Sequence, residues 1–502
     1  MSVKQTRASG VLMPISSLWG SDSIGCFGRE AYEFIDFLAD SGFTWWQVLP
    51  FGMVDACNSP YQSYSAFGGN PYFVDLRTLV AEGYLTEEEI ASVREDNAYV
   101  CEYEKLAATR MTILRLAATR ARAEEREAIR EWVESKPYIA RFCEFMARRY
   151  ANGEAPWCDW TIDAVDGVEH FAWQFIQYHF EMQWKAVRAY ANTRGIRVMG
   201  DIPIYVSYDS CDVWSNPEQF QLGKDGKPSA VAGCPPDAFN DEGQLWGNPL
   251  YDWKKMKEQD FAWWCDRVRH MLDLFDGVRI DHFRGLEAYW SIPADSNTAR
   301  VGRWVKGPGL PFVKAIRRVV SEYEAEHGTT PLIVAEDLGF ATPSLRKFLD
   351  ASGFPGMRIL QFAFDGDPEN VNLPHNYPEN SVVYTGTHDN VTILGFLWET
   401  DDAQRSRALE YCGYTDWNWD RPEAFESLNR SLLRSKADLA ILPIQDILGF
   451  GADCRINTPG TAEGNWRYRV TGEQMASINR QKYYRMNDLY GRLPRKETPA
   501  EK

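Results

Sequence analysis

No apolar run in this chain approaches the about 18 residues that a membrane span requires. Histidine is scarce, at seven residues, and the ten cysteines form neither a Cys-x-x-Cys pair nor a metal-type cluster with those histidines. The sequence opens without a secretory signal pattern, so free thiols in a reducing, cytoplasmic compartment are expected. Positive charge is also short: 54 Lys and Arg against 71 Asp and Glu leave a net charge of −17. That balance argues against nucleic acid or an anionic membrane as partner and favours a neutral or cationic ligand. There is no internal repeat, and low complexity is confined to the Lys/Glu-rich tail at 494–502.

Aromatic residues are abundant, with 19 Trp, 24 Tyr and 26 Phe. Most serve as core filler, but many fall in Gly/Pro/Asn-rich segments such as 58–73 and 233–253, which read as long ordered loops. Flat rings on loops suit a ligand with apolar faces and many hydroxyls, such as a sugar chain. Eight short apolar segments read as strands: 10–14, 45–49, 196–205, 277–281, 331–336, 357–362, 381–384 and 439–442. Helical patterns separate most of them, including 28–39, 170–192, 257–274, 311–326, 341–351 and 402–413. This βα alternation predicts an α/β fold, a (β/α)₈ TIM barrel with long loops over its C-terminal face. Residues 84–152 change character, being rich in Glu, Arg and Ala. The expected division is a catalytic barrel from 1–75 and 165–502, with loop insertions at 206–253 and 450–470, and a mainly helical insertion at 76–164.

The chain is organised around Gly277-Val-Arg-Ile-Asp-His-Phe-Arg-Gly285. Val278 and Ile280 alternate with Arg279 and Asp281, so the arginine and the aspartate leave the same face of a short strand. Opposite charge within a few ångströms favours an ionised carboxylate, the form a nucleophile needs. A structural ion pair would look the same from this stretch alone. Two further acids follow strand patterns, Glu336 after Leu332–Ala335 and Asp389 beyond Val383-Tyr384. Enough chain lies between the three for whole βα units, so all can converge at one barrel mouth. Retaining glycosidic cleavage needs one carboxylate to attack and a second carboxyl group to donate and then accept a proton. An apolar strand with acidic neighbours should raise the pKa of Glu336 and suit it to proton donation.

The strings GDIPIYV at 200–206, GVRIDHFRG at 277–285, AEDLG at 335–339 and TGTHDN at 385–390 resemble the four signature regions of α-amylase-type glycosidases. SPYQSYSAFGGNPYF at 59–73, GQLWGNPLYDW at 243–253 and GNWRYR at 464–469 narrow the resemblance to the 4-α-glucanotransferases (amylomaltase, disproportionating enzyme), from about residue 10 to 470. The resemblance implies transfer of α-1,4-glucan segments from a maltooligosaccharide or glucan donor to glucose or a glucan acceptor, with no cofactor and no metal. It implies Asp281 as nucleophile, Glu336 as general acid/base and Asp389 as transition-state stabiliser. Arg279 would orient Asp281, His388 would bond the same sugar, and Asp201 would support the barrel mouth. Tyr61 and Trp246 would flank the glucan path, while Asn457 and Pro459 are binding candidates on the acceptor side. The loops at 58–73 and 234–253, with Asn465 and Trp466, would form a lid, though Ala238 stands where some relatives carry an aromatic. His282 has the reading of a structural histidine. An amylase-like hydrolase and a non-catalytic glucan-binding protein are the rival readings.

Overall fold

A computed structural model describes residues 7–55, 57–236, 241–339, 342–416, 418–461 and 463–494. Its centre is a closed barrel of eight parallel strands, β1 (Ala8–Leu12), β2 (Trp45–Gln47), β3 (Arg197–Ile202), β4 (Gly277–Ile280), β5 (Leu332–Ala335), β6 (Gly356–Ile359), β7 (Ser381–Tyr384) and β8 (Leu439–Pro443). Each strand pairs with its successor: Gly10 lies opposite Trp45, Trp46 opposite Val198, Gly200 opposite Val278, Val278 opposite Ile333, Gly356 opposite Ala335, Met357 opposite Val382 and Val383 opposite Ala440. Leu439 against Ala8 closes the ring. The strands read as near-continuous apolar runs because side chains fill one face and helices cover the other, so both faces are dry. All eight predicted strands are present. Their ends shift where chemistry requires: β3 stops at Ile202, since Pro203 has no N–H for a further ladder bond, and residues 360–362 turn into a 3₁₀ helix after β6.

The connection from β2 to β3 contains the helices Tyr103–Thr119, Ala123–Glu134 and Pro137–Ala151, and then the long helix Gly167–Thr193. The start of this connection grips the C-terminal end of the barrel chain. Cys101 N donates to Arg467 O (2.7 Å), Arg469 N to Tyr99 O (3.0 Å) and the Tyr103 hydroxyl to Trp466 O (3.1 Å).

Two expectations need correction. The segment read as loop at 233–253 instead supplies two strands, Ala230–Cys234 and Gln244–Pro249, of a four-stranded antiparallel sheet completed by Ala288–Pro293 and Arg303–Lys306. Glycines interrupt the alternation there, and the partner strands lie far along the chain. The single helix expected over 257–274 is two, Trp253–Glu258 and Ala262–Leu274, split where Asp260 and Phe261 take left-handed φ values of 53° and 56°. Residues 237–240, with Ala238, and the tail from 495 lie outside the described residues. The cysteines are all free, and among the described residues no helix is long and apolar enough to cross a membrane.

Candidate active site

Arg279, inside β4, is buried beneath the barrel mouth. Its Nη1 donates to both oxygens of Asp201 on β3 (2.8 and 2.7 Å), while Nη2 donates to Asp281 Oδ1 (2.8 Å) just past the end of β4. Planar guanidinium geometry allows one side chain to order two carboxylates. Asp201 is 1% exposed; burial pushes its pKa up, Arg279 opposes that, and Asp281 adds to it. The Tyr61 hydroxyl donates to Asp201 Oδ2 (2.7 Å), so this aspartate ties the 58–73 loop to the barrel. Asp281 keeps about a quarter of its side chain open, 26%, towards the mouth.

Glu336 follows β5 directly. Its Oε2 accepts from the backbone N–H of His282 and its Oε1 from that of Leu338, both at 2.7 Å. Burial, reinforced by the negative charges of Asp281 and Asp337 and opposed by Arg279, pushes Glu336 up to about 8. The shift has the direction implied by its apolar strand. His282 takes φ 45°, a left-handed conformation rare for a side-chain-bearing residue, and that turn aims its N–H at Glu336. Its ring, held at about 4 by burial, meets Trp246 edge-on at 4.9 Å. His282 is therefore more than a packing residue: the backbone between Asp281 and Phe283 orients the second acid. Only its place beside Asp281 could have signalled this in the sequence.

Asp389 lies out in the loop after β7, not on the strand end. Asn457 Nδ2 donates to its Oδ1 (2.6 Å), and His388 Nε2 stands 3.3 Å from its Oδ2. Against burial, these two and Arg279 hold Asp389 down at about 2. Arg455 Nη2 donates to the Asp389 carbonyl (2.5 Å) and Asn457 N to the His388 carbonyl (3.0 Å), so the chain after β8 braces the loop after β7. Tyr61 stacks on His388 (5.1 Å, 17°), and Trp466 tilts against both rings at 5.7 and 5.9 Å. Trp466 itself has φ 65° and is braced through its carbonyl by Tyr103. Gln62 Nε2 donates to Asn248 Oδ1 (3.1 Å), which joins the 58–73 loop to the strand that carries Trp246.

Nine of the ten predicted site residues thus form one connected network around the mouth. Pro459 does not join it and lies on an exposed turn beyond Asn457. Among the described residues, Asp22, Cys26 and Asp75 bring metal-type atoms within 4.8 Å of one another. Each already has work elsewhere: Asp22 pairs with Arg77 (2.9 Å), Asp75 Oδ2 accepts Thr78 N (2.8 Å), and the Cys26 thiol, pushed up by burial, donates to Asp75 Oδ1 (3.6 Å).

A parallel barrel whose mouth gathers one acid held down, Asp389, and another pushed up, Glu336, has the layout of an enzyme active site. The chain belongs to the 4-alpha-glucanotransferase family, whose model matches residues 13–475. It is 40% identical to the 4-alpha-glucanotransferase of Clostridium butyricum over 500 residues, covering 96% of this chain and 100% of that one. It is 41% identical to the enzyme of that name from Thermus thermophilus over 483 residues, 92% of this chain and 95% of that one. Among solved structures, amylomaltase from Streptococcus agalactiae in complex with acarbose superposes with a TM-score of 0.91 at 35% identity, covering 97% of this chain and 100% of that one.

Proposed function

We propose that this chain transfers segments of α-1,4-glucan from a maltooligosaccharide or longer donor to the 4-hydroxyl of glucose or another glucan, by double displacement with retention. The observation that carries the reading is the contrast between two neighbouring acids. Asp281 is held by a buried guanidinium, while Glu336 is pushed up to about 8 with both oxygens fixed by backbone N–H groups.

In the first step an Asp281 oxygen bonds to the anomeric carbon as the glycosidic C–O bond breaks. The departing oxygen takes the Glu336 proton and leaves as the free 4-hydroxyl of the shortened glucan. In the second step the acceptor's 4-hydroxyl bonds to the same carbon, its proton passes to the Glu336 carboxylate, and Asp281 leaves. Asp389, ionised and steadied by Asn457 and His388, accepts hydroxyls of the sugar whose bond is breaking. Arg279 and Asp201 are positioning residues. Tyr61 and Trp246 supply flat walls for the sugar rings, and Asn457 and the turn at Pro459 face the acceptor side. The helical segment 76–164 acts as an insertion into a barrel made of 1–75 and 165–502, and the enzyme works in the cytoplasm, without nucleic acid or membrane as partner.

Incubation with maltotriose tests the reading. A transferase yields glucose and longer maltooligosaccharides while the number of reducing ends stays nearly constant. Reducing ends that climb with each glucose released would make it a hydrolase, and no products at all would leave a glucan-binding protein.

A further inference from the structure

We propose that Trp398 and Trp419 form a second glucan-binding platform, separate from the carboxylate site, that holds long α-glucan chains. The inference rests on the reading that this chain acts on α-glucan. The helix Ile393–Glu399 is anchored at its start, where Ile393 N donates to buried Asp446 Oδ1 (2.7 Å) and Thr392 Oγ1 accepts Gly395 N (3.0 Å). Ile393, Phe396 and Leu397 bury its apolar side. Trp398 lies off that stripe and is 59% exposed, more than the exposed-surface share of any other tryptophan among the described residues.

A lone exposed ring would need no explanation. This one has a partner. Trp419 comes from a separate segment and meets Trp398 with ring centroids 4.6 Å apart at 72°. The Arg405 guanidinium lies 4.3 Å over the Trp419 ring and is itself pinned, donating to Leu397 O (2.5 Å), Thr400 O (2.8 Å) and Asp402 Oδ1 (2.5 Å). The Tyr414 hydroxyl donates to Asn418 O (2.6 Å) and closes the segment that carries Trp419. The two indoles are therefore braced before any ligand arrives, which lowers the entropy cost of binding.

The rim identifies the ligand class. Asp420 follows Trp419 and is exposed, and Asp416, exposed three residues before Trp419, accepts Asn418 N (3.0 Å) and pairs with Arg421 (3.6 Å); their remaining lone pairs accept hydrogen bonds from hydroxyls. Indole faces pack against the C–H faces of pyranose rings. Nucleic acid is disfavoured by the net charge of −17, and an apolar protein surface would take these carboxylates out of water while offering them no new donors. A neutral, hydroxyl-rich polymer satisfies both halves of the patch. A second contact on the same polymer raises the effective concentration of donor at the mouth, an advantage that maltotriose is too short to gain.

The test is migration of the full chain through native gels containing soluble amylose, paired with maltotriose turnover. Trp398→Ala should bind amylose roughly three- to tenfold more weakly, with maltotriose turnover and melting temperature unchanged, and Trp398→Tyr should restore most of the retardation. Trp398-dependent retardation in a wild-type protein that fails to turn over maltotriose would sink the proposed activity and leave the platform standing. The platform is overturned if Trp398→Ala is retarded like wild type, if it loses maltotriose turnover in parallel, or if sedimentation shows that it loses self-association instead.

Discussion

Arg279 holds Asp201 and Asp281 at once, the first through two contacts at 2.7 and 2.8 Å and the second through one at 2.8 Å. Asp201 in turn accepts the Tyr61 hydroxyl (2.7 Å), so one guanidinium links the ends of β3 and β4 to an aromatic loop. Asp281, the proposed attacking group, owes its orientation to a side chain buried beneath the mouth.

Arg279→Lys should therefore be severe. An ammonium is a point charge and cannot fork between two carboxylates. Removing one partner from a buried ion pair costs about 3–5 kcal/mol, and the lysine should recover only part of that. We expect kcat to fall by at least about 100-fold, with a lower denaturant midpoint. Activity within threefold of wild type would contradict the positioning role.

The pH profile follows from Glu336. In its proposed role as proton donor it works protonated, and it is pushed up to about 8. The value of kcat/KM should thus be high below that pH and fall as pH rises through it. Asp389, held down at about 2, stays ionised throughout the working range and should add no limb above about pH 3. With an activated donor that needs no protonation, Glu336→Gln should lose the basic limb of the first step. A limb that persists in that variant would belong to another group.

Much of this was legible in the sequence. Parallel barrel strands are dry on both faces, so each of the eight appears as a short apolar run, and an acid straight after such a run stands out, as Asp281 and Glu336 do. What stayed hidden depends on pairing at long range or on backbone dihedrals. The sheet built from 230–234, 244–249, 288–293 and 303–306 is broken by Gly233, Gly243 and Gly247, the last two at φ 70° and 78°, and its strands lie far apart in the chain. The left-handed turns at His282 and Trp466 carry no residue-type signature, since neither is glycine. They decide where the His282 N–H and the Trp466 ring point.

Asn457→Ala should weaken catalysis through Asp389. The variant removes the donor to Asp389 Oδ1 but leaves Arg455 on the Asp389 carbonyl, so the loop should stay folded. Hydrogen bonds to charged groups contribute about 1.5–3 kcal/mol, which corresponds to a fall in kcat/KM of roughly 10- to 100-fold. Pro459→Ala, on the exposed turn, should change it by less than about twofold. Equal effects from the two would place the acceptor contacts differently.

Trp246→Ala should shift the balance between acceptors. Trp246 packs edge-on against His282, and the strand that bears it is tied to the 58–73 loop through Gln62 and Asn248. Loss of the indole opens the mouth to water, so transfer should fall more than hydrolysis. The ratio of new reducing ends to glucose released from maltotriose measures this directly, and an unchanged ratio would remove Trp246 from the lid.

The central claim is a covalent glycosyl-enzyme on Asp281. Glu336→Gln, given an activated α-glucosyl donor, should complete the first displacement and stall at the second, because no base remains to activate the acceptor. Mass spectrometry of the denatured, digested protein should then find one glucosyl unit on the peptide that contains Asp281, and none when Asp281→Ala is added to the same variant. An adduct on Asp389, or turnover with no adduct at all, would contradict the account.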